Sequence, residues 1–266
     1  MKPEEALQKL GEERPLVHHI TNYVTVNLVA NVTLSTGALP VMAHAIDEVA
    51  EMSAAASALV INIGTLDSSQ IESALVAGKS ANAGGIPVVL DPVGAGATTL
   101  RTQTAERLLT QLEVSAVCGN AGEIATLAGL SAEVRGVESL AGDAEAATLQ
   151  AARALEVIVV ATGETDYVSD GERVLAVENG HPLMGRVVGS GCASTVVVGC
   201  FAAVGGGDVE TVAGALAYFG RAGEVAAGKA DGPGTFEPRL LDALAGLAGD
   251  PSGLDDEVRV RELSHG

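Results

Sequence analysis

The sequence predicts an α/β protein in three layers, with a mainly parallel central sheet and helices on both faces. Short β-rich apolar runs alternate with longer helical stretches, the order that produces parallel strands joined by crossover helices. Each clear run ends in a turn containing Gly, Asn, Asp or Thr. The chain is also apolar enough to fill such a core, with 47% hydrophobic residues and a mean hydropathy of +0.32.

The elements follow in order. Strands are predicted at 58–63, 87–90, 115–118 and 157–161, followed by Gly64-Thr65, Asp91-Pro92, Gly119-Asn120 and Thr162-Gly163. Between them, 68–84 reads as a helix with Ile71, Leu75 and Val76 on one face, and 104–112 as a helix with Leu108, Leu109 and Leu112 together. Residues 142–155 form an Ala-rich helix with Asp143 and Glu145 at its start, where the helix dipole favours acids. Residues 166–177 read as a hairpin about a two-residue Asp170-Gly171 turn. Residues 187–207 carry no charge, but their glycines leave about a dozen residues for a helix, the length of a buried helix rather than a membrane span. From about residue 250 the chain is expected to be an acidic surface tail. At 266 residues, without a Pro/Ser-rich linker, the expectation is one domain over 1–266.

Charge narrows the function. With 34 acidic and 15 basic residues the net charge is −19, so the cationic surface that nucleic acid or an anionic membrane requires is missing. Three cysteines without C-x-x-C spacing fit neither a disulfide framework nor a zinc site, and the charged N-terminus lacks the apolar core of a signal peptide. A cytoplasmic location is expected. The acidity and the scarcity of lysine, four in all, suggest a protein adapted to high salt, where self-repulsion is screened; a merely acidic protein is the alternative.

In open α/β sheets ligands bind beyond the carboxyl ends of the strands, so the four turns are predicted to face one site. The segment from Gly189 to Thr195 is a Gly-x-Gly turn opening onto a small-residue helix, a geometry whose free N–H groups attract anions. Cys192 falls in that helix's first turn, where the dipole is expected to lower its thiol pKa; a plain buried cysteine in a Gly-rich turn is the alternative. Asp91 could hold Mg²⁺ or simply form a turn. Glu123 could serve the same ion or the helix dipole. Thr162 and Gly163 add a hydroxyl and a backbone donor. Two carboxylates, an anion-holding helix end and a hydroxyl turn on one edge suit magnesium-dependent phosphoryl transfer. No G-x-x-x-x-G-K-[ST] is present, and His18, His19, His44 and His181 read as structural.

An ordered set of segments resembles the hydroxyethylthiazole kinase family: 16–22 (LVHHITN), Ala30-Asn31, 40–43 (PVMA), 61–66 (INIGTL), 90–98 (LDPVGAGAT), Gly119-Asn120-Ala121 with Glu123-Ile124, Thr162-Gly163-Glu164, and Gly189-x-Gly191-Cys192. The resemblance spans about residues 15–240. It implies a ribokinase-like fold and transfer of the ATP γ-phosphate to the hydroxyl of 4-methyl-5-(2-hydroxyethyl)thiazole in thiamine salvage, by a homotrimer with sites between subunits. By matching position, Asn22, Met42, Gly64 and Gly189 would line the thiazole pocket, with Met42 reaching in from a neighbouring chain. Asp91 and Glu123 would organise Mg²⁺ and the nucleotide phosphates, Thr162 and Gly191 would contact ATP, and Cys192 would stand where many ribokinase-like enzymes carry an aspartate base. The chain departs from the family at Cys118, where an arginine is common; either Mg²⁺, Arg101, another basic residue or potassium would then meet the phosphate charge, or ATP would bind weakly. Another ribokinase-like activity, such as a hydroxymethylpyrimidine kinase or a hydrate dehydratase, and a catalytically silent binding protein are the alternatives.

Overall fold

The structure, a computed structural model, describes residues 1–130 and 141–263, apart from the side chains of 141–143. Its strands are β1 (Leu16–Ile20), β2 (Leu39–Val41), β3 (Ala58–Asn62), β4 (Val88–Asp91), β5 (Ala116–Asn120), β6 (Ile158–Thr162), β7 (Asp166–Ser169), β8 (Val174–Val177) and β9 (Val260–Leu263). The helices are α1 (Pro3–Glu13), α2 (Val26–Ser35), α3 (Val49–Ala55), α4 (Ser68–Ala83), α5 (Thr99–Gln111), α6 (Ala121–Leu127), α7 (Ala141–Leu155), α8 (Ser190–Gly205), α9 (Val209–Ala227), α10 (Pro233–Gly249) and α11 (Leu254–Glu257). The strands form one sheet in the order β2-β1-β3-β4-β5-β6-β7-β8-β9. The first six run parallel, and β7, β8 and β9 are antiparallel.

Side chains alternate across the strands, so each face of the sheet has its own core. Ala58, Val60, Val89, Ala116, Cys118 and Val160 pack with the apolar residues of α1, α2, α8, α9 and α10. Leu59, Ile61, Val88, Leu90, Val117 and Val159 pack on the other face with α4, α5, α6 and α7. Because the period is two, Asn62, Asp91, Asn120 and Thr162, at the carboxyl ends of β3 to β6, all belong to the α8 face. The register brings them into neighbouring pairs, Asn62 beside Asp91 and Asn120 beside Thr162.

Several elements differ from the sequence-based expectation. β1 and β2 add two parallel strands to the four read as clearest. α5 begins at Thr99, five residues before the expected start, because the Thr98 side chain caps it by accepting from Arg101 N. α8 runs 16 residues rather than a dozen, since Ser190-Gly191 at its start and Gly205 at its end are part of the helix. The hairpin loop has four residues, 170–173, because Ser169 pairs with Val174 and the Asp170 side chain accepts from the N–H groups of Glu172 and Arg173. The C-terminal tail is in part a strand: β9 pairs with β8 from Val174–Leu263 to Val177–Val260. Its exposed, charged sequence is that of an edge strand, which backbone pairing stabilises without a buried face. Residues 264–266 of the expected tail, and the side chain of Asp143 at the start of α7, lie outside the described residues. No helix among the described residues is long and apolar enough to cross a membrane.

Candidate active site

Asn62 is the centre of the site. Its Nδ2 donates to Asp91 Oδ2 and to Cys192 Sγ at 3.1 Å, and its Oδ1 accepts from Asn22 Nδ2 and from Gly64 N, both at 2.9 Å. Asn22 Nδ2 also reaches Cys192 Sγ at 3.6 Å, while its Oδ1 accepts from the N–H groups of Val24 and Thr25 and so fixes the start of α2. One amide thus joins Asn22, Gly64, Asp91 and Cys192 from four separate segments, and Asn62, Asn22 and Asp91 are each no more than 5% exposed. With every polar atom of both asparagine side chains partnered, the knot is rigid. In the sequence Asn62 stands within the 61–66 segment with no role of its own; the readable signal is a polar residue ending a fully buried strand.

Burial, then the nearby Glu123 charge, pushes Asp91 up to about 7 against the bonds from Cys192, Asn62 and Thr195. The Cys192 thiol is pushed up to about 12, first by burial and next by the Asp91 charge. The expected lowering is therefore overturned: the helix dipole acts on Cys192, but desolvation and an adjacent carboxylate outweigh it. At neutral pH this sulfur keeps its proton.

Gly189 begins α8 in the left-handed region, φ 89°, and a Cβ there would run into Thr25. Only glycine suits both the backbone and the approach to α2. Gly191, by contrast, meets nothing within 4 Å of an added Cβ; its side is open to a cleft of about 850 Å³. Thr162, Gly163, Asp166, Asn179, His181 and Ser190 also line that cleft. Thr162 Oγ1 donates to the Gly119 carbonyl at 3.2 Å, tying β6 to β5 at the cleft floor. Burial raises Asp166 to about 6, partly opposed by the N–H of Gly163.

Glu123 holds two turns together. Its Oε2 accepts from Asn120 N at 2.9 Å, completing a capping box with Asn120, and its Oε1 accepts from Gly94 N at 2.7 Å in the loop after Asp91. Arg101 does not stand free to meet phosphates. Its guanidinium donates to the carbonyls of Val93 and Gly64, each at 2.7 Å, and of Ile63 at 3.2 Å, so it fastens the turn after β3 to the turn after β4. Cys118 lies in the core beneath α8, 1% exposed, and burial pushes its thiol far above the usual range.

Met42 stands apart from the Asn62 knot, after β2, half-buried against the α8-side core. His44 ties its loop to the site: Nδ1 donates to the Met42 carbonyl at 3.1 Å and Nε2 accepts from Thr21 N at 3.0 Å. His18 bonds the Ala43 carbonyl and Ser53 Oγ, each at 2.8 Å, and is fully buried, as is His19. Through these bonds His18 and His44 tie the loop after β2 to the rest of the fold. His181 caps a 3₁₀ turn, Pro182–Arg186, by accepting from Leu183 N.

A sequence model of the hydroxyethylthiazole kinase family matches residues 7–250. The chain belongs to that family. A hydroxyethylthiazole kinase from Rubrobacter xylanophilus is 72% identical over 267 residues, covering all of both chains, and one from Methanocella arvoryzae is 54% identical over 95% of this chain and 96% of its own. The solved hydroxyethylthiazole kinase protein of Pyrococcus horikoshii superposes with a TM-score of 0.89 at 44% identity, over 98% of this chain and 99% of that one. A ribokinase-like superfamily protein from Enterococcus faecalis, 14% identical, covers 92% of this chain and 94% of its own with a TM-score of 0.65, a likeness of fold alone.

Proposed function

We propose that this member of the hydroxyethylthiazole kinase family transfers the γ-phosphate of ATP to the hydroxyl of 4-methyl-5-(2-hydroxyethyl)thiazole, giving the thiazole phosphate for thiamine salvage. The observation that carries this reading is full-length likeness at 72% identity to a hydroxyethylthiazole kinase. It is joined by a site with the parts that phosphoryl transfer needs: a buried carboxylate, a helix N-terminus and a cleft of nucleotide size.

In this reading the thiazole lies against Asn22, Gly64 and Gly189, with Met42 supplied by a neighbouring chain of a homotrimer. The exposed apolar side chains Tyr23, Val24 and Val188, 65%, 68% and 74% exposed beside Asn22 and Gly189, support a subunit contact there. ATP occupies the cleft, with Thr162 and Gly191 against it. The free N–H groups of the first turn of α8 hold the oxygens of the transferring phosphoryl group.

The acceptor hydroxyl sits near Cys192, whose neutral thiol orients it without acting as a strong base. Asp91 stands beside the same sulfur, both being held by the Asn62 amide. Asp91 and Glu123 suit Mg²⁺ bound through water and phosphate oxygens: two carboxylates close enough for the charge of one to raise the pKa of the other have room for a cation's charge. When bound, Mg²⁺ supplies neutralisation of the phosphate charge. Thiazole-dependent ADP formation tests the assignment, and ADP formation with hydroxymethylpyrimidine but not with thiazole would replace it by the related activity.

A further inference from the structure

One wall of the cleft is a loop, 178–185, that presents Asn179, Gly180, His181 and Met184 to it. A loop cannot hold such a surface unaided, and this one is held from behind by a polar network. Asn179 is 5% exposed; its Oδ1 accepts from Arg259 N at 2.6 Å, and its Nδ2 donates at 3.3 Å to both Glu224 Oε1 and the Glu257 carbonyl. Gly180 N donates to the same Glu224 oxygen at 3.0 Å, and the Arg259 guanidinium closes on that oxygen and on the Glu178 carbonyl. Arg221, on α9, bonds Glu224 Oε2 at 3.2 Å and Glu257 Oε2 at 2.8 Å.

The same loop lies directly on α9. A Cβ at Gly220 would run into the Asn179 carbonyl, and one at Gly223 into Met184 Sδ. The loop thus has one seat, and Glu224 is the group that joins it to both α9 and the segment leading into β9. Neither Glu224 nor Arg259 lines the cleft.

We infer that Glu224 is a positioning residue for the nucleotide, acting with Arg259 through Asn179 and Gly180 to fix the cleft wall. This rests on the reading that ATP binds in that cleft. A wall already in place costs the nucleotide no ordering entropy when it binds, whereas a loosened wall must be ordered by the ligand. Among the described residues no hydrogen bond joins the pocket built around Asn62 to this network. Breaking the clasp therefore weakens nucleotide binding selectively.

The test compares Glu224→Ala, Glu224→Gln and Arg259→Ala with the wild-type chain, by calorimetric binding of a non-hydrolysable ATP analogue and by steady-state kinetics. Glu224→Ala should weaken analogue binding and raise the KM for ATP by about tenfold, with the thiazole KM and the kcat at saturating ATP changed less than twofold. Glu224→Gln, which keeps an acceptor for Asn179 and Gly180, should restore most of the affinity. Arg259→Ala, altering a half-exposed side chain, should shift the same parameters in the same direction and keeps the test available where Glu224→Ala does not fold. A folded Glu224→Ala with wild-type analogue affinity, or a thiazole KM rising as far as that for ATP, overturns the inference. Analogue binding without thiazole turnover in the wild-type chain would instead overturn the substrate reading and leave the clasp to the affinity comparison.

Discussion

Asp91 and Cys192 stand side by side on the Asn62 amide, a carboxyl that suits a cation and a thiol that burial keeps protonated. Replacing Asp91 by Ala removes the buried carboxylate, and thiazole-dependent ADP release should fall by roughly 10²-fold or more while thiazole still binds. Cys192→Asp, measured in the same assay, should retain or raise activity, because the transition state depends mainly on positioning and charge neutralisation rather than on the thiol. Asn62 shows what a sequence conceals at this scale. Its place at the end of a buried strand is legible, but its bonds to Asn22, Asp91 and Cys192 in three other segments arise only when the chain is folded. The thiol pKa was misread for a related reason: position at a helix start is visible in the sequence, and the burial that dominates it is not.

His19 gives a residue-scale prediction about stability. It is fully buried, and burial, then the charges of His18 and His44, lowers its pKa to about 3 from 6.5. Above pH 6.5 it is neutral folded and unfolded. As the pH falls from 6.5 toward 3 the unfolded chain takes up the proton first, so His19 withdraws stability by about 1.4 kcal/mol per pH unit. Asp91 and Asp166, with raised pKa values, work in the opposite sense between about pH 7 and 4. Comparison with His19→Gln isolates the histidine: between pH 6 and 4 the wild-type urea midpoint should fall relative to the variant's. Parallel midpoints would contradict the buried neutral imidazole.

Among the elements, the turns after β3 and β4 matter most, because Arg101 binds them into one unit through three carbonyls. Arg101→Ala should lower kcat by roughly ten- to hundredfold through misplacement of Gly64 and the loop after Asp91, with the circular dichroism of the native protein. Unchanged kcat in a folded variant would show that the two turns keep their places unaided. The sequence offers Arg101 as one of several groups that could meet the phosphate charge, but does not show that its donors are already engaged. The four clearest strands are legible from their short apolar runs, each ending in a turn. β1, with two histidines, and β2, with a central proline, lack such a run and depend on pairing with their neighbours. β9 is hidden by its charges, which are what an edge strand tolerates.

At the scale of the whole molecule, the net charge of −19 is spread over a chain with 15 basic residues, several of them already in surface ion pairs. Screening should relieve the remaining repulsion. The thermal midpoint and activity are both expected to rise from dilute buffer toward molar KCl, where the Debye length is about 3 Å; full stability and activity without salt would remove the halophilic reading. The alternation of strands and helices made the architecture legible at this scale, because one turn after each parallel strand must face the same edge. What the sequence alone left open was how α8 meets that edge, which depends on Gly189 packing against Thr25.

The central claim is that these strand ends phosphorylate a thiazole alcohol at the expense of ATP. It is tested most directly by ADP release from Mg-ATP with and without 4-methyl-5-(2-hydroxyethyl)thiazole, across KCl from dilute to molar. Thiazole-dependent ADP formation, matched by thiazole phosphate, is the predicted result; a folded protein that forms no ADP in response to thiazole at any salt concentration would contradict it.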